Sequence, residues 1–278
     1  MKALRRTMTT AVWYEEAVPE NPFFPKHSFC HGYNFYGDLI GKADFASLIF
    51  LHLRGELPGR EERDRFDFLL AAVMNPGPRH PQNQSAMAAA VGGCPPGAAL
   101  MAGFSSSMGQ TEGGMAVENV IRMLNELSPT AAGTRPPLSF AFLRDRFAIQ
   151  DEIPGFGTLY GIQDIQALQV VSRLKKNGWV GKKLALLLEL ETLIRPHRRE
   201  WIRLYGVVAA GWADLGITPA QGHGLYMLAS GFGMLAFLAE RYDQKWYDFP
   251  TWYTHGTYRY EPNRTAHRVR PPEEESDR

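Results

Sequence analysis

The stretch Ile153-Pro-Gly-Phe-Gly157 carries two glycines, and a residue without a Cβ lets its backbone come close to a ligand. The same stretch could equally be a turn joining helices. It is not a dinucleotide loop, because the next glycine, Gly161, is wrongly spaced for the third of that motif and no strand precedes it. Arg195-Pro-His-Arg-Arg199 packs three arginines and a histidine into five residues, which suits either a phosphate group or the solvated entry to a helix. His223, within Gln221-Gly-His-Gly224, opens a long apolar run, where it could act as an acid or base or simply be packed and hydrogen-bonded. His27, Cys30 and His31 are of metal-ligating types, but they lack a fourth ligand nearby, so no metal is expected.

Whole-chain charge narrows the field. Thirty Lys+Arg stand against 29 Asp+Glu, a formal net charge of +1, so no global field draws the chain to nucleic acid or to anionic lipid, and neither is expected as a partner. Two cysteines, Cys30 and Cys94, cannot build a disulfide framework, which fits a reducing, cytoplasmic setting. The N-terminus begins with basic residues but has no apolar stretch of secretory-leader length. The longest uncharged apolar stretch, 224–239, is shorter than the ~20 residues of a spanning helix and is expected to be a buried core helix.

The elements that must position these groups are helical. Residues 1–34, rich in proline and aromatics, are expected to form an extended arm packed on the body. Asp44 suits an N-cap for a helix over 45–54, stopped by Gly55, and a second helix is expected over 60–74. An alanine-rich run, 85–91, implies close helix packing, of the kind that can also form across a dimer. Further helices are expected over 97–108, 113–127, 138–151, 163–177, 182–194, 200–215 and 219–242, the last with Thr218 as N-cap and Pro219 at its first position. Few segments alternate with period two, so the fold class is all-α. Residues 244–268 resemble a second arm, and 269–278 are charged and expected to be disordered.

Three stretches, taken together, resemble the short citryl-CoA lyase form of the citrate synthase family. The first is His31-Gly-Tyr33, then Asp38-Leu-Ile40, then Leu51-His-Leu-Arg-Gly-Glu-Leu-Pro58. The second is Gly113-Gly114 followed by Glu118, and the third is Ile153-Pro-Gly-Phe-Gly157 with Asp164 beyond it. Their order and spacing agree with the family over roughly residues 30–243. The resemblance implies a citrate synthase-like fold: a large helical domain of residues 35–114 and 218–243 with a smaller domain, 115–217, inserted. It also implies a homodimer, an active site in the cleft between domains, and a coenzyme A thioester as ligand, lying against Pro154, Gly155, Phe156 and Gly157.

In that family one His polarises the thioester carbonyl, an Asp takes the α-proton, and a second His binds the keto-acid carbonyl, an acid–base set arranged around one carbon framework. The matching positions here are Glu112, Tyr205 and Thr158, so the resemblance implies these as catalytic candidates with altered chemistry. Where the family has carboxylate-binding arginines, this chain has Gln166 and Ser230, neither of which can hold a carboxylate bidentately as Arg does. His80 lies within a short register shift of the family's substrate histidine, and His223 is placed to replace a lost acid or base. Ordinary citrate synthesis or citryl-CoA cleavage is therefore not expected. Two readings stay open: an acyl-CoA-dependent transferase or lyase with a rebuilt site, and a non-catalytic homologue that pairs with a catalytically intact relative as a structural or regulatory subunit.

Overall fold

The computed structural model describes residues 8–129, 133–158 and 161–245. Most of the expected second arm and all of the expected tail lie outside the described residues. Ten α-helices form the body among those described, preceded by a small sheet.

The N-terminal arm is more regular than an extended chain. β1 (Trp13–Val18) pairs antiparallel with β2 (Asn21–Cys30), and β2 pairs with β3 (Tyr33–Asn34). His31 and Gly32 take φ of 47° and 88°, a turn with two positive φ angles whose twist matches a hairpin. Pro22 and Pro25 fall in the half of β2 that β3 does not reach, and Pro25 sits opposite Ala17 of β1 where the register shifts, an edge and a bulge being the places where a strand tolerates proline. A π-helical turn, Phe35–Leu39, leads into the helices.

Local signals set most helix ends. Asp44 accepts a hydrogen bond from Ser47 N at 2.8 Å and starts α1 (Phe45–Arg54), and Gly55 ends it at φ 80°. α2 (Arg60–Ala72), α3 (Pro81–Val91), α4 (Pro96–Ser106) and α5 (Gly114–Leu127) follow. α6 is shorter than its pattern and spans Phe140–Phe147. The chain then turns back through Gln150 and Asp151, both at positive φ, which no continuous helix permits. α7 (Ile165–Lys176) and α8 (Lys182–Ile194) come next. The helix expected over 200–215 begins later, as α9 (Leu204–Asp214). Trp201–Ile202 instead forms a short strand, β5, paired with β4 (Phe156–Gly157). α10 (Pro219–Arg241) opens with the reciprocal Thr218 and Gln221 caps.

Apolar packing is continuous from α1 to α10 through one large cluster that includes Phe50, Phe66, Leu124, Leu187 and Trp212. The alanine-rich α3 packs within the chain: Ala86, Ala90 and Ala99 meet Met234 and Leu238 of α10. A Cβ on Gly103 of α4 would lie 2.0 Å from the Met234 sulfur and 3.0 Å from Gln82 O, so glycine there lets α4 sit close to both α10 and α3. α10 is a core helix, as expected, with one outward face. It spans 23 residues, long and apolar enough by composition to cross a membrane, and it packs against α3, α4 and α5. It buries Leu225, Tyr226, Ala229 and Met234, but leaves Leu228, Phe232 and Leu235 half or more exposed. Those three recur at i, i+4 and i+7, a second apolar stripe on the outer face.

Candidate active site

Four helices begin around one cavity of about 540 Å³. His80 is the N-cap of α3, Glu112 immediately precedes the Gly113 that caps α5, Asp164 caps α7, and Arg203 caps α9. Gln166, Tyr205 and Tyr226 also line the cavity. Helix N-termini carry unpaired N–H groups and partial positive charge, so their convergence favours an anionic ligand.

Glycines set the geometry. Gly113 has φ 120°, and a Cβ there would sit 2.0 Å from Ser107 O, so the turn that presents Glu112 closes only with glycine. Gly155, at φ 89°, lies against Gly206 in the first turn of α9, where a Cβ on Gly206 would fall 2.7 Å from Gly155 O. Arg203 N donates to that same carbonyl at 2.9 Å. The Pro-Gly-Phe-Gly loop is thus buried and bound to the start of α9, and its tight backbone approach is to that helix.

Arg203 is the centre of the charge arrangement. Its Nη2 bonds Glu112 Oε1, its Nε lies 3.7 Å from Asp164 Oδ2, and its guanidinium carbon stands 5.7 Å from the centre of the Tyr205 ring. Asp164 accepts from Ala167 N at 3.0 Å and from Leu204 N at 2.9 Å, so one carboxylate serves the starts of both α7 and α9. Burial pushes the Glu112 carboxyl above its ordinary range, and the Arg203 charge reverses this only in part. Burial acts to lower the Arg203 guanidinium, but Glu112, Tyr205 and Asp164 more than offset it. Burial, and after it the Glu112 charge, raises both Tyr205 and Tyr226, which keeps them as phenols.

His80 is held neutral. Burial, helped by the Arg203 charge, lowers it to about 4. Its Nδ1 accepts from Gln82 N at 3.3 Å, which places the proton of the neutral ring on Nε2. That Nε2 is buried and has no hydrogen-bond partner.

The cavity therefore brings together Glu112, Tyr205, His80 and Gln166 of the residues singled out in the sequence. Thr158 follows the loop without lining the cavity. Ser230 is fully buried elsewhere, donating to Gln82 Oε1 at 2.9 Å and tying α10 to α3. His223 bonds Glu118 Oε2 through Nδ1 at 2.9 Å and stands over Gly114, where a Cβ would meet its ring at 2.3 Å. The Glu118 carboxylate is held below its ordinary range by His223 and Arg122. Sequence reasoning missed Arg203, Asp164 as a site residue, and Tyr226. Arg203 stands two residues before Tyr205, a spacing that could have flagged it.

Among the described residues a second, smaller cavity of about 310 Å³ is lined by Arg195, Arg198, Arg199 and Trp201. Trp201 pairs with Gly157 in the β4–β5 ladder. Arg198 is occupied by Asp151 and Glu200.

No protein-family model matches the sequence, and no curated protein matches it in sequence. Solved structures do match in shape. Citryl-CoA lyase from Hydrogenobacter thermophilus superposes with a TM-score of 0.74 at 20% identity, covering 94% of this chain and 97% of that one. A mutant ATP citrate lyase from Methanosaeta concilii, in complex with (3S)-citryl-CoA, gives 0.71 at 15% identity over 94% of this chain, which spans 43% of that longer protein. Citrate synthase from Thermotoga maritima MSB8 gives 0.52 at 13% identity over 92% and 95% of the two chains. These likenesses, spread over nearly the whole chain, establish its architecture: it has the all-α fold of citrate synthase and citryl-CoA lyase.

Proposed function

We propose that the protein binds a coenzyme A thioester with its acyl group in the cavity of Glu112, Arg203 and Tyr205. It forms or cleaves a carbon–carbon bond next to the thioester carbonyl, using residues other than those the family employs. The observation that carries this reading is the meeting of a carboxyl group, two phenols and a neutral imidazole in one cavity at four helix N-termini. Glu112 takes a proton from the carbon beside the thioester carbonyl. Tyr205 and His80 Nε2–H donate hydrogen bonds to the oxygen where negative charge gathers. The enol carbon then adds to a carbonyl of a second substrate, and the reverse sequence cleaves that bond.

Two further facts support the coenzyme A part. ATP citrate lyase, of the same fold, has been solved with coenzyme A and with citryl-CoA. Trp201 and Arg203 lie two residues apart on an extended segment and so share a side, roughly 7 Å apart. Phosphates of a ligand whose acyl end reaches Arg203 would then meet Arg195 and Arg199.

A second reading rests on the Glu112–Arg203 ion pair, which occupies the group that would act as base. In that reading the chain is a non-catalytic partner of an intact homologue. The exposed apolar stripe of α10 supports burial of this face against another subunit, in a homodimer or in such a mixed assembly. Calorimetric titration with coenzyme A, acetyl-CoA, branched and dicarboxylic acyl-CoAs, citrate and oxaloacetate separates the readings. Thioester binding without citrate or oxaloacetate binding is expected, and Glu112→Gln should then abolish turnover of whichever thioester is consumed. Binding of no thioester removes the enzymatic reading, and unchanged turnover in Glu112→Gln removes Glu112 from it.

A further inference from the structure

We infer that Arg203 is the binding site for a single carboxylate of the substrate, which displaces Glu112 from the guanidinium, and that Glu112 takes up a proton as it is displaced. The location of this site in the acyl cavity rests on the coenzyme A reading above; the exchange itself rests on the ion pair.

Arg203 is fixed and Glu112 is not. The Arg203 side chain is 10% exposed, with Asp164 Oδ2 3.7 Å from its Nε and the Tyr205 ring against its guanidinium, and its backbone N–H is tied to Gly155 O. The Glu112 side chain is 32% exposed, sits on a glycine-flanked turn ahead of α5, and has Arg203 as its one ionic partner among the described residues. An incoming carboxylate therefore finds a guanidinium already oriented, with the competing anion on the solvent-facing side. A guanidinium presents paired N–H groups that match a carboxylate, so the ligand replaces a one-point contact with a two-point one.

The site selects one carboxylate rather than three. Gln166 and Ser230 stand where the resembled family places arginines, and Ser230 is turned into the α3–α10 contact. The neutral His80, with its unpaired Nε2–H, adds one donor and no charge. Arg79, also on the cavity wall, is engaged in an interaction of its own.

Displacement changes the proton count. The groups around Glu112 are Arg203 at the start of α9, Asp164 at the start of α7, Glu152 in the turn before the loop, Tyr205 on α9, Tyr226 on α10 and His80 on α3. With Arg203 committed to the ligand, Glu112 keeps the repulsion of Asp164 and Glu152 and the cost of burial, and loses its main attraction. Ligand carboxylate plus one proton from solvent gives the bound anion on Arg203 and a neutral Glu112 carboxylic acid, so charge and atoms balance. In this state Glu112 is the proton donor to the carbon beside the thioester carbonyl, so the exchange prepares the cleavage direction of the reaction proposed above.

The test is titration calorimetry of the full chain near pH 7 in two buffers of different ionisation enthalpy, which counts protons. The ligands are acetyl-CoA, malonyl-CoA, succinyl-CoA, and pyruvate with and without acetyl-CoA. A carboxylate on the thioester or on the separate acid should bind with net proton uptake, and acetyl-CoA alone with none; the responding ligand tells which of the two brings the carboxylate. Arg203→Gln should weaken carboxylate binding by at least about tenfold and abolish the proton uptake, with a much smaller loss for acetyl-CoA. Glu112→Gln should bind the carboxylate more tightly and without proton uptake, a gain that a merely structural Glu112 does not produce. Equal binding of all thioesters without proton uptake overturns the exchange and leaves the coenzyme A reading standing. Binding of pyruvate alone with proton uptake, and of no thioester, supports the exchange and overturns the coenzyme A reading. Binding of nothing overturns both.

Discussion

His80 and Glu112 share a cavity wall and titrate in opposite senses. A histidine held at about 4 in the folded chain, against about 6.5 when unfolded, is neutral in the native state over a range where the unfolded chain is protonated. The unfolded state binds more protons there, so the contribution is fully present above pH ~6.5 and is lost as pH falls toward 4. At most it removes roughly 3 kcal/mol, from a shift of about 2.5 units. Glu112, raised above its unfolded value, works the other way just above its ordinary range, since the native state there holds the extra proton. Urea unfolding of wild type and His80→Asn at pH 4.5, 5.5 and 7 separates the two. The variant should lose much less stability than wild type between pH 7 and 4.5; equal slopes would show that His80 is solvated. At this scale the sequence was partly readable. Glu112, Tyr205, Gln166 and His80, singled out through motif position, line one cavity. Arg203 was not, because it belongs to no motif and its importance comes from three contacts made by distant segments.

Among the elements, α1 and α8 were legible to the residue because each has an unambiguous start and stop within a few positions: Asp44 and Gly55 for α1, Gly181 and the Arg195-Pro196 step for α8. α6 and the start of α9 were not. Their ends are set by the reversal at Gln150 and Asp151 and by pairing of Trp201–Ile202 with Phe156–Gly157, both tertiary events that override helical pattern. The same pairing makes two glycines behave oppositely. Gly206→Ala drives a methyl against Gly155 O and should cost about 1–3 kcal/mol, loosening the loop and weakening thioester binding. Gly224, in the interior of α10, has nothing within 4 Å of a built Cβ, so Gly224→Ala should add about 0.5–1 kcal/mol. Chemical denaturation of the two variants side by side checks both signs. Loss of stability in both would mean that space at the glycine does not govern the outcome.

For the molecule as a whole, the fold was legible in the order of three short motifs although no sequence family matches, and the solved structures that share its shape are at most 20% identical among those compared. What the order of motifs could not reveal is which apolar surfaces face inward. α10 reads as uniformly apolar, yet Leu228, Phe232 and Leu235 point outward, with Phe45 of α1 edge-on to Phe232 at 6.5 Å between ring centres. Light scattering should find wild type as a dimer and Phe232→Glu as a monomer with an unchanged helical spectrum. A wild-type monomer would remove the dimer expectation. The carboxylate of Asp164 has a mechanical consequence at this scale. Because its two oxygens hold the first turns of α7 and α9 separately, one carboxylate works as a rivet through both helix starts. Sliding either start past the other breaks at least one of the two bonds, so the floor of the cavity keeps its shape, and Arg203, at the riveted start of α9, keeps its place in it.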